Sequence, residues 1–323
     1  MSELIANLLF LVGGFGALYF GAEWLVRGSV RIASEMGVSP VVVGLTLVSL
    51  GTSAPELVVC IQAAIDGAGN LAAGNVLGSN LANIGLILGA TALLRPVAVA
   101  DRVIAREVPI MILITVMIFP FVMDGGVSRG DGVVLLVLLT VYLAITFMST
   151  EEDAADILDE VGLARDGDHQ EHATSRIGNL GLVAAGAIGL GLGGRAIITG
   201  ATYLVDSLGA SEMVIGATVI AIGTSLPELV TSLVAAARKH ADVAVGNIIG
   251  SNIFNLTAVM GGSALVQGFE IEGTVLTTEL PAVLLLSLLV WPVAASARMV
   301  RRSEGLLLLV AYGGCMVWIG LAH

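Results

Sequence analysis

Two glutamates, Glu56 and Glu228, lie well inside apolar stretches of the sequence. An ionised carboxylate within a membrane is costly unless it is paired, protonated or bound to a cation. One interpretation is a protonated glutamate that hydrogen-bonds to a neighbouring helix. Because both glutamates stand in the same local sequence, we favour the other interpretation, a shared cation site.

Hydroxyl side chains precede each glutamate at helical spacing. Thr52 and Ser53 stand four and three residues before Glu56, so a helix places them on the face that carries the carboxylate. Thr224, Ser225 and Glu228 repeat this arrangement, and polar faces with a four-residue period follow: Asn75, Ser79 and Asn83, then Asn247, Ser251 and Asn255. Such groups also join helices within membranes, an alternative that we expect to hold in part for Asn75, Asn80, Asn247 and Asn252.

A proline stands directly before each glutamate. Pro55 and Pro227 cannot donate a hydrogen bond to the carbonyls of Gly51 and Gly223, so we expect a kink at each position. Carbonyl oxygens near the kinks then become available as ligands. Glycines around the two motifs allow close helix approach.

The donors in these motifs are carboxylate, hydroxyl, amide and carbonyl oxygens, which hard cations such as Ca²⁺ and Na⁺ prefer. Two carboxylates also balance the charge of one Ca²⁺. The four histidines fall in loops or at the terminus, which disfavours a zinc or copper site in the membrane: His169, His172, His240 and His323. We therefore expect Ca²⁺ and Na⁺ as the bound ions, and we predict no cofactor and no nucleic-acid partner.

The two motifs belong to an internal repeat. Residues 44–57 (GLTLVSLGTSAPEL) match residues 216–229 (GATVIAIGTSLPEL) at eight of fourteen positions, with an offset of 172. Residues 74–83 (GNVLGSNLAN) match residues 246–255 (GNIIGSNIFN) at six of ten positions with the same offset. One ungapped offset therefore relates most of the two halves.

The composition indicates the elements that position these residues. Of 323 residues, 56% are hydrophobic and only 12% are charged, about half the charge of a soluble domain. Apolar and polar residues do not alternate with a two-residue period, as they would in a membrane barrel. We therefore expect an all-α integral membrane protein in the lipid bilayer. Ten apolar stretches are predicted as transmembrane helices: 4–26, 41–65, 71–94, 104–122, 133–148, 177–205, 213–237, 243–266, 276–297 and 306–321.

Each half of the chain holds five of these spans, so the second half enters the membrane from the opposite side. We predict two inverted five-helix repeats, 1–148 and 177–323, joined by an acidic linker, 149–176. Nine acidic residues and one arginine fall within 151–171, which favours a solvated loop. Inverted repeats are typical of secondary transporters whose sites lie near the midplane.

The basic residues indicate the orientation. Twelve of the 14 fall on the side opposite the termini, and only Arg129 falls on the side of the termini. The positive-inside rule then places the linker in the cytoplasm and both termini outside the inner (plasma) membrane. The remaining base, Arg195, aligns with Glu23 across the repeat, and an ion pair between them is one expectation.

The GTSxPE and GNxxGSNxxN segments resemble the alpha-repeats of the cation/Ca²⁺ exchanger superfamily, in its Na⁺/Ca²⁺ exchanger branch. The resemblance covers essentially the whole chain and implies ten helices and Na⁺-driven Ca²⁺ extrusion by alternating access. The side-chain ligands that it implies are Thr52, Ser53, Glu56, Ser79, Asn83, Thr224, Ser225, Glu228, Ser251 and Asn255, with backbone oxygens of Ser49 and Ala221.

The resemblance also bears on the coupling ion. Members that use K⁺ carry aspartate at the position of Asn255, so Asn255 implies K⁺ independence. The Ca²⁺/H⁺ branch usually has a further acid in its second motif, which GSNLAN and GSNIFN lack. A Ca²⁺/H⁺ antiporter nevertheless stays open as an alternative.

Rivals from other classes are less well supported. A cation channel or sensor usually builds its filter from a ring of subunits, whereas here one chain supplies both halves of the site. The sequence contains no HExxH motif and no serine–histidine pair, which disfavours an intramembrane enzyme. We therefore expect a transporter, not an enzyme, and take the glycine-rich first and sixth spans as candidates for its moving gate.

Overall fold

The computed structural model describes residues 2–161, 176–207 and 221–322 and is built almost entirely from helices. The α-helices are α1 Ser2–Met36, α2 Pro40–Val43, α3 Ser49–Thr52, α4 Ala54–Ile65, α5 Gly69–Leu81, α6 Leu88–Leu94, α7 Val108–Val122, α8 Arg129–Val161, α9 Arg176–Ser207, α10 Ala221–Thr224, α11 Leu226–Ala237, α12 Ala241–Phe254, α13 Met260–Val266, α14 Gly273–Thr277, α15 Glu279–Ala295 and α16 Arg302–Ala322. π-helical turns connect several of them: Gly44–Val48, Ala82–Ile87, Val103–Glu107 and Asn255–Val259.

The helix lengths agree with an all-helical membrane protein. Within the described ranges, eight helices are long and apolar enough to span a bilayer, and α2 to α4 form a bent ninth. The predicted span at 213–237 lies partly outside the described residues, where only α10 and α11 represent it. The count of ten spans therefore stays a prediction.

One expectation about the linker is wrong for its first part. The predicted loop at 151–171 begins inside α8, which continues without a break to Val161. Helix-forming alanine, leucine and glutamate at 151–161 are compatible with this extension, because high charge alone does not prevent a helix. Residues 162–175 lie outside the described part of the chain.

The most buried helices are those that carry the polar motifs. The stretches Gly69–Leu94 and Ala241–Val266 are largely enclosed by the protein, whereas α1 and α16 turn most of their apolar side chains outward. This distribution is the one expected in lipid, where apolar surface needs no burial and polar groups do. The motifs therefore lie at the centre of the bundle.

The helices α1 and α9 pack along each other through glycines spaced seven residues apart. A Cβ atom at Gly14 would lie 2.9 Å from the Gly193 carbonyl oxygen, and one at Gly21 would lie 2.9 Å from the Gly186 carbonyl oxygen. Gly14 and Gly186 are equivalent under the repeat offset, as are Gly21 and Gly193. The two helices are thus antiparallel, and their backbones touch symmetrically.

Two short strand pairs join the halves of the chain. β1 (Val97–Ala98) pairs antiparallel with β4 (Met299–Val300), and β2 (Gly126–Val127) pairs antiparallel with β3 (Phe269–Glu270). The helix α7 runs from the β1–β4 pair to the β2–β3 pair, and α15 runs back from the second pair to the first. Consequently α7 and its repeat equivalent α15 run in opposite directions.

Candidate ion-binding site

A break in the helix positions Glu56. The helices α3 and α4 meet at Ser53 (φ −84°, ψ 2°) with a bend of 46°. Pro55 lies in the first turn of α4, where its missing N–H is tolerated. The predicted kink is therefore confirmed in the first repeat, and it leaves Glu56 in the first turn of a helix, where a negative charge is favoured.

The second repeat has the same local geometry. Ser225 (φ −88°, ψ 3°) separates α10 from α11, and Pro227 again lies in the first turn. Glu228 follows in that turn, as Glu56 does in its own helix. The break at the second predicted kink thus has the backbone conformation of the first.

Both glutamates are fully enclosed, with 0% of Glu56 and 1% of Glu228 exposed. Neither oxygen of Glu56 has a hydrogen-bond partner among the described residues, and Glu228 Oε2 also lacks one. Ser53 donates a 3.3 Å hydrogen bond from Oγ to Glu228 Oε1. Ser53 stands three residues before Glu56, so this bond places both carboxylates in one buried centre, and no described basic residue forms an ion pair with either. Such a pair requires protons or a bound cation.

The structure brings the predicted hydroxyls of the two repeats together. Thr52 Oγ1 lies 3.3 Å from Ser251 Oγ, and Ser225 Oγ lies 3.4 Å from Ser79 Oγ. Each contact joins the helix break of one repeat to the polar face of the other. The predicted side-chain ligands are all buried: Thr52, Ser53, Glu56, Ser79, Asn83, Thr224, Ser225, Glu228, Ser251 and Asn255.

Asn83 and Asn255 lie at the start of equivalent π-helical turns, Ala82–Ile87 and Asn255–Val259. Such turns often occur at functional sites. Asn83 Oδ1 and both side-chain polar atoms of Asn255 have no hydrogen-bond partner within the described ranges. Both amides are therefore available as ligands in the buried centre.

Two asparagines cross-link the repeats and orient the threonines. Thr52 Oγ1 donates to Asn247 Oδ1 at 3.1 Å, and the equivalent Thr224 Oγ1 donates to Asn75 Oδ1 at 3.4 Å. Asn247 Nδ2 in turn donates to Ser232 Oγ at 3.1 Å. These bonds fit the alternative of interhelical contacts for Asn75 and Asn247.

Sequence reasoning missed the supporting residues of these asparagines. Asn75 Nδ2 lies 3.2 Å from Cys60 Sγ, and Cys60 is equivalent to Ser232 under the repeat offset. Because cysteine and serine differ in type, identity between the repeats did not mark this position. Its spacing did contain a signal, since each residue stands one helical turn after its glutamate.

The expected backbone ligands are the carbonyl oxygens of Ser49 and Ala221. The Ser49 carbonyl accepts the Ser53 N–H at 2.9 Å, and Thr52 Oγ1 lies 3.3 Å from the same oxygen. Ala221 is the first residue of α10. The roles of both carbonyls stay predictions.

Close glycine contacts bring the two halves of the site together. A Cβ atom at Gly250 would lie 2.3 Å from Ser49 Oγ and 2.8 Å from the Leu45 Cα atom. Gly44 and Gly246 face each other, since a Cβ at either would lie 3.1 Å from the Cα of the other. The expected close helix approach is therefore confirmed at Gly44, Gly246 and Gly250, but it is wrong for Gly74 and Gly78, where a Cβ atom would meet nothing within 4 Å.

The donors that converge here are oxygens. In the described part of the chain, no group of three or more histidine, cysteine, aspartate or glutamate residues could hold a metal ion. Two carboxylates with hydroxyl and amide oxygens instead suit Ca²⁺ or Na⁺. The arrangement can bind a hard cation between two halves of the molecule.

One expected ion pair is wrong. Glu23 pairs with Arg27 (Nη2 to Oε1, 2.6 Å) and with Arg238, while the side chain of Arg195 is exposed. Repeat-equivalent residues occupy equivalent places in different halves, so alignment of Glu23 with Arg195 does not bring them into contact.

The chain is similar to membrane ion exchangers over nearly its whole length. The family model described as sodium/calcium exchanger protein matches residues 6–148 and 178–321. The inner membrane protein YrbG of Escherichia coli (strain K12) is 36% identical, over 99% of this chain and 97% of that protein. The sodium/calcium exchanger MaX1 of Methanosarcina acetivorans is 32% identical, over 97% of this chain and 98% of that protein.

A solved structure extends this similarity to three dimensions. The sodium-calcium exchanger NCX_Mj, soaked with Na⁺ and Sr²⁺, is 31% identical and superposes with a TM-score of 0.82. The match covers 97% of this chain and 98% of that one.

Proposed function

The chain belongs to the sodium/calcium exchanger protein family, and from this membership we propose that it exchanges Na⁺ for Ca²⁺ across the membrane by alternating access. The observation that carries the proposal is the pair of buried carboxylates. Glu56 and Glu228 would repel each other if both were ionised, and the described residues leave three of their four oxygens without a partner. A transported cation supplies the missing charge.

Competition between the ions follows from this charge requirement. One Ca²⁺ or several Na⁺ at overlapping positions would offset the two carboxylates, and the hydroxyl and amide oxygens around them would replace water. An empty site keeps its repulsion and its unmet desolvation cost, so it does not switch readily. Exchange without leak is the consequence.

The side chain at position 255 supports transport without K⁺. Asn255 is neutral and buried, so the site has two carboxylates rather than three. The ligand set therefore carries no additional negative charge for a further cation. The absence of further acids in the two GSN motifs likewise favours Na⁺ over H⁺ as the coupling ion.

Ten spans in two inverted repeats form the proposed architecture, with 149–176 as the linker. The antiparallel contact of α1 with α9, and the opposite directions of α7 and α15, support the inversion. The excess of basic residues on the side of the linker supports a cytoplasmic linker and outward-facing termini. The family model also leaves out residues 149–177.

The helices α1 and α9 are the proposed moving gate. Their backbones meet at glycines, so no side chain interlocks at these contacts. Helices packed this closely can move together as one pair against the other helices. Such movement would open the central site to one side while closing it to the other.

Reconstituted vesicles test the function directly. An outward Na⁺ gradient is expected to drive Ca²⁺ uptake without added K⁺, because two carboxylates bind either ion. The measurement is radioactive Ca²⁺ uptake, and collapse of the Na⁺ gradient by an ionophore is the control. Uptake that follows an imposed pH gradient instead would identify a Ca²⁺/H⁺ antiporter, and current without a counter-ion would identify a channel.

Removal of an orienting amide tests the architecture of the site. The Asn247→Ala variant is expected to raise the apparent KM for Ca²⁺ about tenfold, because Thr52 loses its bond to Asn247 Oδ1 and its hydroxyl turns to the Ser49 carbonyl, 3.3 Å away. Asn247→Asp keeps an acceptor there and is expected to have a smaller effect on Thr52. The measurement is the Ca²⁺ dependence of uptake in vesicles, and an unchanged KM in Asn247→Ala would contradict the orienting role.

A further inference from the structure

The ion pair between Glu23 and Arg238 has an equivalent with opposite charges. The repeat offset of 172 relates Glu23 to Arg195 and Asp66 to Arg238. An acid on α1 and a base after α11 thus correspond to a base on α9 and an acid after α4. Each half of the molecule therefore contributes one residue to each pair, the acids from the first half and the bases from the second.

The structure contains one of these pairs and not the other. Arg238 donates to both oxygens of Glu23, which is only 6% exposed. The side chains of Asp66 and Arg195 are both exposed, and Asp66 accepts hydrogen bonds from Gln62 Nε2 at 2.9 and 3.0 Å. No ion pair joins Asp66 to Arg195, although the structure describes both residues.

Helix packing shows the same asymmetry. The helix α1 packs along α11, whereas α9 has no comparable packing against the equivalent helix α4. Glu23 and Arg195 lie on opposite sides of the midpoint of the α1–α9 pair, which falls between the Gly14–Gly193 and Gly21–Gly186 contacts. Among the described residues, this packing and this ion pair therefore close one end of the molecule and have no equivalent at the other.

An inverted repeat predicts what the opposite state looks like. When the halves exchange conformations, Arg195 takes the position relative to Asp66 that Glu23 now has relative to Arg238. Opposite charges at both pairs make each contact attractive. Since α1 and α9 move together, formation of one pair goes with separation of the other.

We propose that Glu23–Arg238 and Arg195–Asp66 are alternating latches that stabilise the two access states of the transporter. This inference rests on the proposed function and orientation, in which Arg238 is cytoplasmic and Asp66 is outside. The structure then represents the state closed to the cytoplasm. Neither pair touches the transported ion, so these residues set the balance of states and not the binding site.

Charge-neutral variants are expected to move that balance in opposite directions. Glu23→Gln weakens the cytoplasmic latch, so the apparent KM for Ca²⁺ falls at the cytoplasmic face and rises at the outer face. Asp66→Asn is expected to do the reverse. A partly exposed ion pair changes the ratio of the two KM values by roughly threefold to tenfold.

The double variant and a matched control separate a latch from a structural contact. Glu23→Gln combined with Asp66→Asn is expected to return the KM ratio toward that of the wild type. Asp101→Asn breaks the exposed Arg298–Asp101 pair (2.8 Å) and is expected to leave the ratio unchanged. Changes of both KM values in the same direction in the single variants would overturn the proposal.

Chemical cross-linking gives a readout that needs no transport. Asp66→Cys and Arg195→Cys are introduced with Cys60→Ser and Cys315→Ala, which remove the buried native thiols. A bifunctional thiol reagent is expected to join the two new cysteines faster when Glu23→Gln is also present, and an unchanged rate would contradict the latch. If the wild type shows no Na⁺/Ca²⁺ exchange, the proposed function fails, whereas this rate still tests the alternation.

Discussion

The Glu56→Gln variant is expected to lose Na⁺-driven Ca²⁺ uptake altogether. Glutamine has the shape of glutamate, so the variant removes one negative charge and little else from the buried centre. The remaining charge of Glu228 cannot balance Ca²⁺, and the two ligand oxygens of Glu56 become one amide oxygen. The variant is therefore expected to lose Ca²⁺ binding because a charge is missing, not because the shape of the site has changed.

The Glu228→Gln variant is expected to lose uptake for the same reason, with a second effect on Ser53. Ser53 donates to Glu228 Oε1, whereas neither oxygen of Glu56 has a partner within the described ranges. The amide oxygen in Glu228→Gln still accepts that bond, although more weakly than a carboxylate. The variant therefore keeps its local structure and loses its charge.

Thermal unfolding in detergent separates lost binding from lost folding. Ca²⁺ at a hundred times its dissociation constant stabilises the folded wild type by about 2.7 kcal/mol. We expect this stabilisation in the wild type and in the control Glu272→Gln, whose side chain is exposed, but not in either site variant. Without Ca²⁺, the site variants are expected to be at least as stable as the wild type, because the repulsion between the carboxylates is removed. Retained uptake in both site variants would refute the assignment of the site.

The chemistry of the centre could be predicted because its physical causes are local. A carboxylate in an apolar stretch, a proline directly before it and hydroxyls at helical spacing each have a consequence that neighbours in sequence determine. The bend at Ser53 and the burial of Glu56 and Glu228 follow from these causes. The repeat predicted that the two halves meet at this site, since neither half alone balances the charge of its buried carboxylate.

Other features depend on packing between distant segments and could not be predicted. The partner of Glu23 is Arg238, which lies 215 positions away, and the alignment with Arg195 identified an equivalent rather than a contact. The π-helical turn at Asn255 adds one residue to a helical turn, and no local residue preference marks such an addition.

The asymmetry of the molecule is the third feature that the sequence could not supply. Two repeats of similar sequence predict equal contacts, yet Ser53 reaches Glu228 while the equivalent Ser225 reaches Ser79. A transporter with two access states must break its internal symmetry in each of them. The departures from symmetry therefore indicate the access state, whereas the repeated residues indicate which ion is bound.

The glycine contact between α1 and α9 gives the second large expected effect. A Cβ atom at Gly21 would lie 2.8 Å from the Leu190 nitrogen and 2.9 Å from the Gly186 carbonyl oxygen. Both are backbone atoms of a helix, so rotation of a side chain cannot relieve the contact. The Gly21→Ala variant must separate α1 from α9, and we expect its exchange rate to fall at least tenfold while Ca²⁺ still stabilises the protein against heat.

The matched control is Gly13→Ala on the same helix, where a Cβ atom would meet nothing within 4 Å. Both variants replace glycine by alanine in a helix, so both receive the same gain of roughly 1 kcal/mol in helix propensity. Only Gly21→Ala changes the distance between α1 and α9. Equal exchange rates in the two variants would show that this contact does not limit movement. A loss confined to Gly21→Ala, with Ca²⁺ binding retained, would show that close backbone contact between α1 and α9 is needed for transport rather than for the ion site.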